Sequence, residues 1–348
     1  MRVFKNLYAN MAGWGMFLAA ALSLSSCAND DLPGGEEQGP AIEFGEVKTR
    51  AEVTEAGQVK EFSVFAEQNY LDENNNETND FISLLDNERV YRISEDESAD
   101  FTYDNKRYWV EGRTFNFFAV HPYMETGVER ANFTPNTVTY DGYTIDFTTP
   151  YTADTDLMAS HYIKPGEETI PDYVEFNFSH LLSKICFMFK KDAEKNADDT
   201  FTITGISITG IKYIGTYNSS RWEPYTDNWS LEDNTRFFRD NNLSTDINKT
   251  SGDTEGVNAF GEGNGWLLLP QTIEEGKVSL NISFQYQQAG STEVSAKQIQ
   301  TTLPAGTWEK GKQYKYNITL SVDNIIYIST PTVESWGAMQ SGGTIIIK

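Results

Sequence analysis

One cysteine near the start of the chain is placed where a thiol could accept a lipid. Cys27 follows residues 24–26 (Leu-Ser-Ser), which close an apolar run preceded by Arg2 and Lys5. The run is too short to cross a bilayer, and the layout is typical of a secretory signal. We predict a signal peptide over residues 1–26 and acyl chains on Cys27. An ordinary signal peptide with an incidental cysteine is the alternative, but the small residues before Cys27 and the polar residues after it favour lipid attachment.

The three histidines and the second cysteine could in principle bind a metal or act in catalysis. His121, His161 and His180 have no metal-ligand spacing with one another or with Cys186. We expect each histidine to lie on a strand or at a strand end and to make a local hydrogen bond. The sequence therefore indicates neither a catalytic constellation nor a histidine metal site.

Two further motifs do not meet the requirements of a ligand site. Residues 72–83 begin like a calcium loop, but Glu77 stands where glycine is required and Ser83 where the bidentate glutamate belongs. The alternating glycines of residues 261–265 (GEGNG) precede a strand and do not open a helix, so they predict a loop and no phosphate cradle. We predict a non-enzymatic protein without cofactor or metal.

Three aromatic residues are the remaining candidates for a binding site. Trp222, Tyr225 and Trp229 lie in a polar, irregular stretch. Exposed rings there could stack on a sugar or on another protein. The alternative is that the rings close the end of a β-sandwich, and the sequence leaves both interpretations open.

Charge and cysteine content restrict the class of protein. Removal of the signal peptide takes away Arg2 and Lys5, which changes the formal charge from −24 to −26. So negative a surface repels nucleic acid and anionic lipid headgroups. With Cys27 carrying lipid, Cys186 has no partner for a disulfide, and stability must come from the core. Residues 27–40 are acidic and rich in glycine and proline, and they predict a flexible tether.

The elements that must position any site are β-strands. Apolar residues recur at every second position in several segments, which puts one face of each strand in a core. In residues 201–208 this phase changes at Gly205, which predicts a β-bulge. We predict an all-β protein of two sandwich domains, residues 41–180 and 181–348, with the boundary uncertain by about 15 residues. The alternating segments are 143–147, 174–178, 185–189, 278–286 and 314–322.

A set of short motifs in fixed order resembles the fimbrillin family, the type V pilins and accessory subunits of Gram-negative anaerobes. The middle of the chain, about residues 218–264, matches no motif of that family. The motifs are the cysteine-ending signal at Cys27, residues 42–44 (IEF), 49–51 (TRA), 156–159 (DLMA), 176–185 (FNFSHLLSKI), 267–271 (LLLPQ), 306–320 (GTWEKGKQYKYNITL) and Trp336.

The resemblance implies two transthyretin-like β-sandwiches, exported as a lipoprotein to the outer membrane and the fimbrium at the cell surface. It also implies a cut by an arginine-specific protease in the loop after the first strand, which would remove the lipid together with that strand, residues 41–48. Arg50, followed by Ala51, lies at the position expected for this cut, and the alternative is that Arg50 is an ordinary solvated turn residue. A terminal strand of another fimbrial subunit would then fill the groove, and the assembled fimbrium would contribute to adhesion. We expect Ile42, Phe44 and, after a bulge at Gly45, Val47 to face inward.

Two alternatives stay open. The segment after Trp336 is short, which leaves stalk, tip and anchor roles undecided. A lipid-anchored glycan-binding module that uses Trp222 and Trp229 would have the same kind of strands, so the fold alone does not decide the function.

Overall fold

The computed structural model describes residues 39–49, 59–71, 77–94, 100–131, 142–220, 228–322 and 325–336. These residues belong to one compact unit and form twenty-four strands, β1 to β24 in chain order, and no helix. No described helix therefore has the length and apolar character of a membrane span.

The N-terminal half is built from a seven-stranded sheet and a four-stranded sheet. The order of the first is β1-β9-β8-β5-β2-β3-β4, and that of the second is β13-β12-β7-β6. The first contains β1 Phe44–Thr49, β2 Glu61–Leu71, β3 Glu77–Arg92, β4 Phe101–Thr102, β5 Phe115–His121, β8 Met158–Lys164 and β9 Val174–His180. The second contains β6 Val128–Ala131, β7 Gly142–Thr148, β12 Ile214–Ser220 and β13 Asn228–Leu231.

The seven-stranded sheet is apolar on both faces. On one face, the rings of Phe118 and Tyr143 stack with centroids 4.1 Å apart and join the two sheets in one core. The neighbouring residue Phe117 points to the other face, where it meets Phe44 and Trp109. Because side chains alternate along a strand, β5 reads as an almost continuous buried run, FNFFAVH.

The C-terminal half is a second pair of sheets and a short ribbon. One sheet runs β16-β10-β22-β23, with β17 also on β10 and β24 also on β22, and the other runs β14-β11-β19-β20, with β15 on β11. These strands are β10 Ser183–Lys191, β11 Thr200–Lys212, β14 Thr235–Asp240, β15 Thr245–Asp246, β16 Val257–Asn258, β17 Trp266–Leu268, β19 Ser279–Gln287, β20 Val294–Thr302, β22 Lys312–Leu320, β23 Ile325–Ile328 and β24 Thr332–Ser335. The ribbon pairs β18 Thr272–Ile273 with β21 Gly306–Thr307.

The strand predictions are confirmed for the described residues, and the protein there is all-β. Each of the five alternating segments lies on a strand, namely β7, β9, β10, β19 and β22. The phase change at Gly205 is a bulge, since the pairing of β11 with β19 shifts between Ile203 and Gly205. The likeness to transthyretin stays a prediction.

The two hydrophobic cores exchange chain segments across the predicted domain boundary. Leu181, Tyr217 and Trp336 all follow residue 180, yet they pack in the core shared by β2, β5 and β7. Strand β12 likewise pairs along its whole length with β7. The domain division near residue 180 stays a prediction, and strands from both sides of it share a sheet.

His161 links the two sheets of the N-terminal half from a buried position. Its Nε2 shares a 2.8 Å hydrogen bond with Ser219 Oγ, and its ring packs against Phe118. Burial, together with a smaller effect of the positive charge of Lys310, lowers the pKa of His161 to about 4. The folded protein therefore holds His161 neutral at a pH where the unfolded chain protonates it.

We predict that His161 makes the protein lose stability in mild acid. Above pH 6.5 the imidazole is neutral in both states and has no effect. As the pH falls from 6.5 towards 4, only the unfolded chain gains the proton, which should cost about 3 kcal/mol of folding free energy. Urea unfolding at pH 7.5 and 4.5 should show a smaller loss for His161→Gln than for the natural chain. Equal losses would contradict the buried neutral state.

Candidate functional site

The first strand occupies an edge position that it fills by main-chain and side-chain contacts. β1 runs parallel to β9, with Phe44 beside Val174 and Val47 beside Phe176. The Val174 N–H also donates a 2.7 Å hydrogen bond to the Glu43 carbonyl. Since β1 is the last strand on this side of the sheet, its loss would leave the N–H and C=O groups of β9 unpaired.

Phe44 is the main side chain that β1 places in the core. It is 3% exposed and lies in a cage of four aromatic rings. Its ring stacks on Phe176 with centroids 5.8 Å apart, and it meets Tyr103, Phe62 and Phe117 edge-on at 5.2, 6.4 and 6.3 Å. Edge-to-face and offset contacts of this kind add to the free energy of burial. Phe44 thus anchors β1 in the protein. We call the groove formed by Phe62, Tyr103, Phe117 and Phe176 the β1 slot.

The residues just before β1 close the other side of the slot. Ile42 is fully buried, and its N–H donates to the Arg107 carbonyl at 2.7 Å while its carbonyl accepts from the Tyr103 hydroxyl at 2.9 Å. Ala41 forms a β-bridge with Tyr108. Burial raises the pKa of Tyr103 to about 12, so this hydroxyl stays a donor at neutral pH. The segment from Ala41 to Phe44 therefore joins β9 to the loop that follows β4.

The bulge predicted at Gly45 is confirmed. The register of β1 on β9 shifts between Phe44 and Val47. A Cβ on Gly45 would lie 2.0 Å from the Tyr173 ring, so glycine lets Tyr173 cover this part of the strand. That Val47 faces inward stays a prediction.

The groove that β1 fills is apolar and lies beside a main-chain edge. The groove beneath β1 has apolar walls made by Phe62, Phe117 and Phe176, and the β9 edge beside it supplies main-chain donors and acceptors. An extended peptide with an apolar residue at every second position fits both features. Among the described residues, no group of histidine, cysteine and carboxylate side chains is arranged to hold a metal ion.

Most of the site residues predicted from the sequence lie outside the described residues. These are Cys27, Arg50, Ala51, Trp222 and Tyr225. Their roles therefore stay predictions. Arg50 directly follows Thr49, the last residue of β1.

Trp229 is described, and it lies on β13 at the border of the N-terminal core. Its indole N–H donates a 2.9 Å hydrogen bond to the Leu181 carbonyl. Its ring packs against Tyr217 and Phe147, with centroids 5.5 and 6.4 Å away. These are the contacts expected of a ring that closes the end of a sandwich. Ligand contact by Trp229 stays a prediction.

The histidines and the glycine loop behave as predicted. His121 Nδ1 hydrogen-bonds the Glu61 carbonyl at 3.0 Å, and His180 Nδ1 hydrogen-bonds the Asp156 carboxylate at 2.9 Å. Burial lowers the pKa of His121. Residues 261–265 form a loop that leads into β17. The three histidines are thus engaged in local contacts.

Three residues that hold β1 were not found by sequence reasoning. Tyr103 donates a hydrogen bond to the Ile42 carbonyl, and Lys106 pairs with Glu43 at 2.8 Å. The main-chain N–H of Trp109 donates to the Pro40 carbonyl, and the Trp109 carbonyl accepts from the Gly39 N–H. They lie in an irregular stretch after the two-residue strand β4. A stretch without periodicity gives no sign of which distant strand it contacts, so this clamp could not be predicted.

Comparisons with known proteins agree on one family. A family model described as fimbrillin-like matches residues 49–336. Fimbrium subunit Fim1C of Phocaeicola vulgatus is 23% identical over 373 aligned positions, covering 92% of this chain and 95% of that relative. The crystal structure of a fimbrial protein from Bacteroides vulgatus superposes with a TM-score of 0.62 at 19% identity, covering 85% of this chain and 99% of that one. The structural likeness shows a shared fold.

We predict that Phe44 contributes strongly to the stability of the uncut chain. Phe44→Ala should lower the free energy of unfolding by about 3–5 kcal/mol, because it empties a closed aromatic cage. Glu43→Gln, at the residue just before β1, is the matched control. Its ion pair with Lys106 is 46% and 32% exposed, so its loss should change stability by at most about 1 kcal/mol. Urea unfolding of the unlipidated chain measures both changes in stability. Similar small effects of the two substitutions would contradict a large contribution of Phe44 to stability.

Proposed function

Because this chain belongs to the fimbrillin-like family, we propose that it is a fimbrial subunit of the bacterial cell surface that joins other subunits at the β1 slot. The observation that carries the proposal is the position of β1. β1 lies at the edge of its sheet and, among the described residues, pairs only with β9. Ala41, just before it, forms an isolated bridge with Tyr108. The strand fills an aromatic groove. A strand in this position can be replaced by one from another chain without rearranging the rest of the sheet.

Cleavage after Arg50 is the step that would open the slot. The cut falls one residue past the end of β1, so the whole strand and the lipid on Cys27 leave together. The exposed edge of β9 then lies beside a groove that has lost Ile42 and Phe44. Burying two such side chains contributes about 3–6 kcal/mol in gross terms, part of which is offset by ordering the incoming strand.

Export as a lipoprotein supplies the state in which the slot is still closed. Acyl chains on Cys27 would hold the uncut subunit at the outer membrane, since two or more chains give stable retention. The acidic tether of residues 27–40 separates the lipid from the first described residue, Gly39, by about a dozen positions. A subunit that keeps β1 would stay attached and serve as an anchor, whereas a cut subunit would enter the fimbrium and contribute to adhesion.

We predict that native fimbriae contain a form that begins at Ala51. N-terminal sequencing of the protein from sheared fimbriae should give Ala51, and Arg50→Gln should abolish that form. Lys48→Gln is the control, and it should leave cleavage unchanged if the protease is specific for arginine. The isolated cut form should melt at a lower temperature and recover when a peptide of residues 41–49 is added. Cys27 as the only first residue found would reject cleavage and assign the chain to anchoring.

We also predict that the lipid is attached at Cys27 alone. Cys27→Ala should abolish incorporation of labelled fatty acid, because the acceptor thiol is gone. Cys186→Ala is the control and should leave labelling intact, since Cys186 is buried and its pKa is raised to about 11 by that burial. Label that persists on the Cys27 variant would refute the lipoprotein assignment.

A further inference from the structure

The C-terminal strand β24 is held in its sheet almost entirely by main-chain pairing. It runs antiparallel to β22, with Lys312 beside Ser335 and Lys315 beside Thr332. All four residues of β24 are exposed, including Val333 at 51%. The ion pair between Lys315 and Glu334 is 2.8 Å long, and its side chains are 25% and 47% exposed. Such a strand has little apolar burial of its own to keep it in place.

Trp336, the residue after β24, is inserted into the protein instead. It is 9% exposed, and its ring stacks on His180 with centroids 3.6 Å apart and planes 11° from parallel. The Lys184 ammonium lies 5.2 Å from the Trp336 ring centroid, a cation–π contact. Asp156 fixes His180 through a 2.9 Å hydrogen bond. We name His180, Lys184 and Asp156 the Trp336 socket.

Two residues of the Trp336 socket, His180 and Asp156, belong to the other half of the molecule from β24, whereas Lys184 lies on β10 in the same sheet as β24. His180 ends β9, the strand that pairs with β1, and Trp336 packs with the core that contains Leu157 and Leu181. The main-chain N–H of Trp336 donates a 2.9 Å hydrogen bond to the carbonyl of Gly311, which lies just before β22. One side chain therefore ties the end of the C-terminal strand to the N-terminal core.

One side of the Trp336 ring is not close-packed. Trp336 and Lys184 line a cavity of about 260 Å³, together with Asp154, Asp156 and the glycine loop at Gly263. Side chains in a dense interior cannot leave without moving their neighbours, but a ring on the wall of a cavity can. The carboxylates and the ammonium on the cavity wall are suited to hold water when the ring withdraws.

We propose that Trp336 in its socket is a latch that keeps the C-terminal strand β24 on β22 until the strand is released for donation. The purpose of the release rests on the proposed function, since only a subunit that donates a strand needs to free it. The latch itself is a property of the single chain. With Trp336 seated, opening of β24 costs the stacking, the cation–π contact and the burial together with the main-chain bonds.

The latch also sets the register of β24. A shift by two residues would keep the same faces and the same type of main-chain pairing, and no buried side chain of β24 opposes it. Such a shift would draw Trp336 out of the socket by about 7 Å, because a strand rises about 3.4 Å per residue. Trp336 is thus the positioning residue for the last described strand.

Hydrogen exchange of the whole soluble chain tests the latch directly. Trp336→Ala should raise the exchange rate of the β24 amides by about tenfold or more, since stacking and a cation–π contact are lost together. Trp336→Phe should restore part of the protection because it keeps a stacked ring. Val333→Ala is the matched control on the same strand and should leave the rates unchanged. Amides of β11 and β19 serve as an internal reference for global stability.

The outcomes separate a latch from a simple structural role. Faster exchange in β24 with an unchanged reference supports the latch, and Lys184→Met should then give a smaller increase of the same kind. Unchanged exchange in β24 overturns it, and so does a uniform increase that includes β11 and β19, because that would report loss of the whole fold.

Mixing experiments distinguish failure of this inference from failure of the proposed function. Trp336→Ala chains should associate faster with a form that begins at Ala51 than natural chains do. If β24 is released but no association follows, the latch stands and donation of this strand is refuted. If association is equally fast with and without Trp336, the latch does not control donation and the inference is overturned.

Discussion

The need to pair the edge of β9 and to fill the apolar groove beside it is the constraint on which this structure depends. β8 pairs with Ser179 and His180 at the end of β9, whereas β1 pairs with residues 174–178 of that strand. The same β1 places Phe44 among rings from β2, β5 and β9. Burial of main-chain polar groups and of aromatic surface thus depends on one short strand at the edge of the sheet.

The second constraint is the join between the two cores. β9 and β10 are consecutive strands separated by only Leu181 and Leu182, yet β9 belongs to the N-terminal sheet and β10 to the C-terminal one. Both leucines are buried in the core on the N-terminal side. His180, at the end of β9, contacts the tryptophan that follows β24. β1 pairs with residues 174–178 of β9, and His180 of the same strand contacts Trp336. The first strand and the end of the C-terminal strand therefore contact positions of β9 that are only a few residues apart.

Sequence reasoning succeeded where one physical rule governs a whole segment. Alternation of apolar residues located β7, β9, β10, β19 and β22, and the glycines at Gly45 and Gly205 marked the two bulges. It did not locate the Tyr103 clamp, because irregular segments carry no period. The pairing of β12 with β7 was also not predictable, since about 65 residues separate them and their alternation is compatible with many partners. Long-range pairing depends on shape and burial that a local pattern does not contain.

Charge explains why strand binding is a suitable means of contact for this chain. The chain has a formal charge of −24. Two copies therefore repel at long range, and this repulsion opposes nonspecific association. At physiological ionic strength the repulsion is screened beyond about 8 Å, whereas main-chain hydrogen bonds and buried rings act at contact distance. For the proposed function, a slot walled by Phe62, Phe117 and Phe176 would select a matching strand at short range, while the acidic surface would oppose nonspecific association.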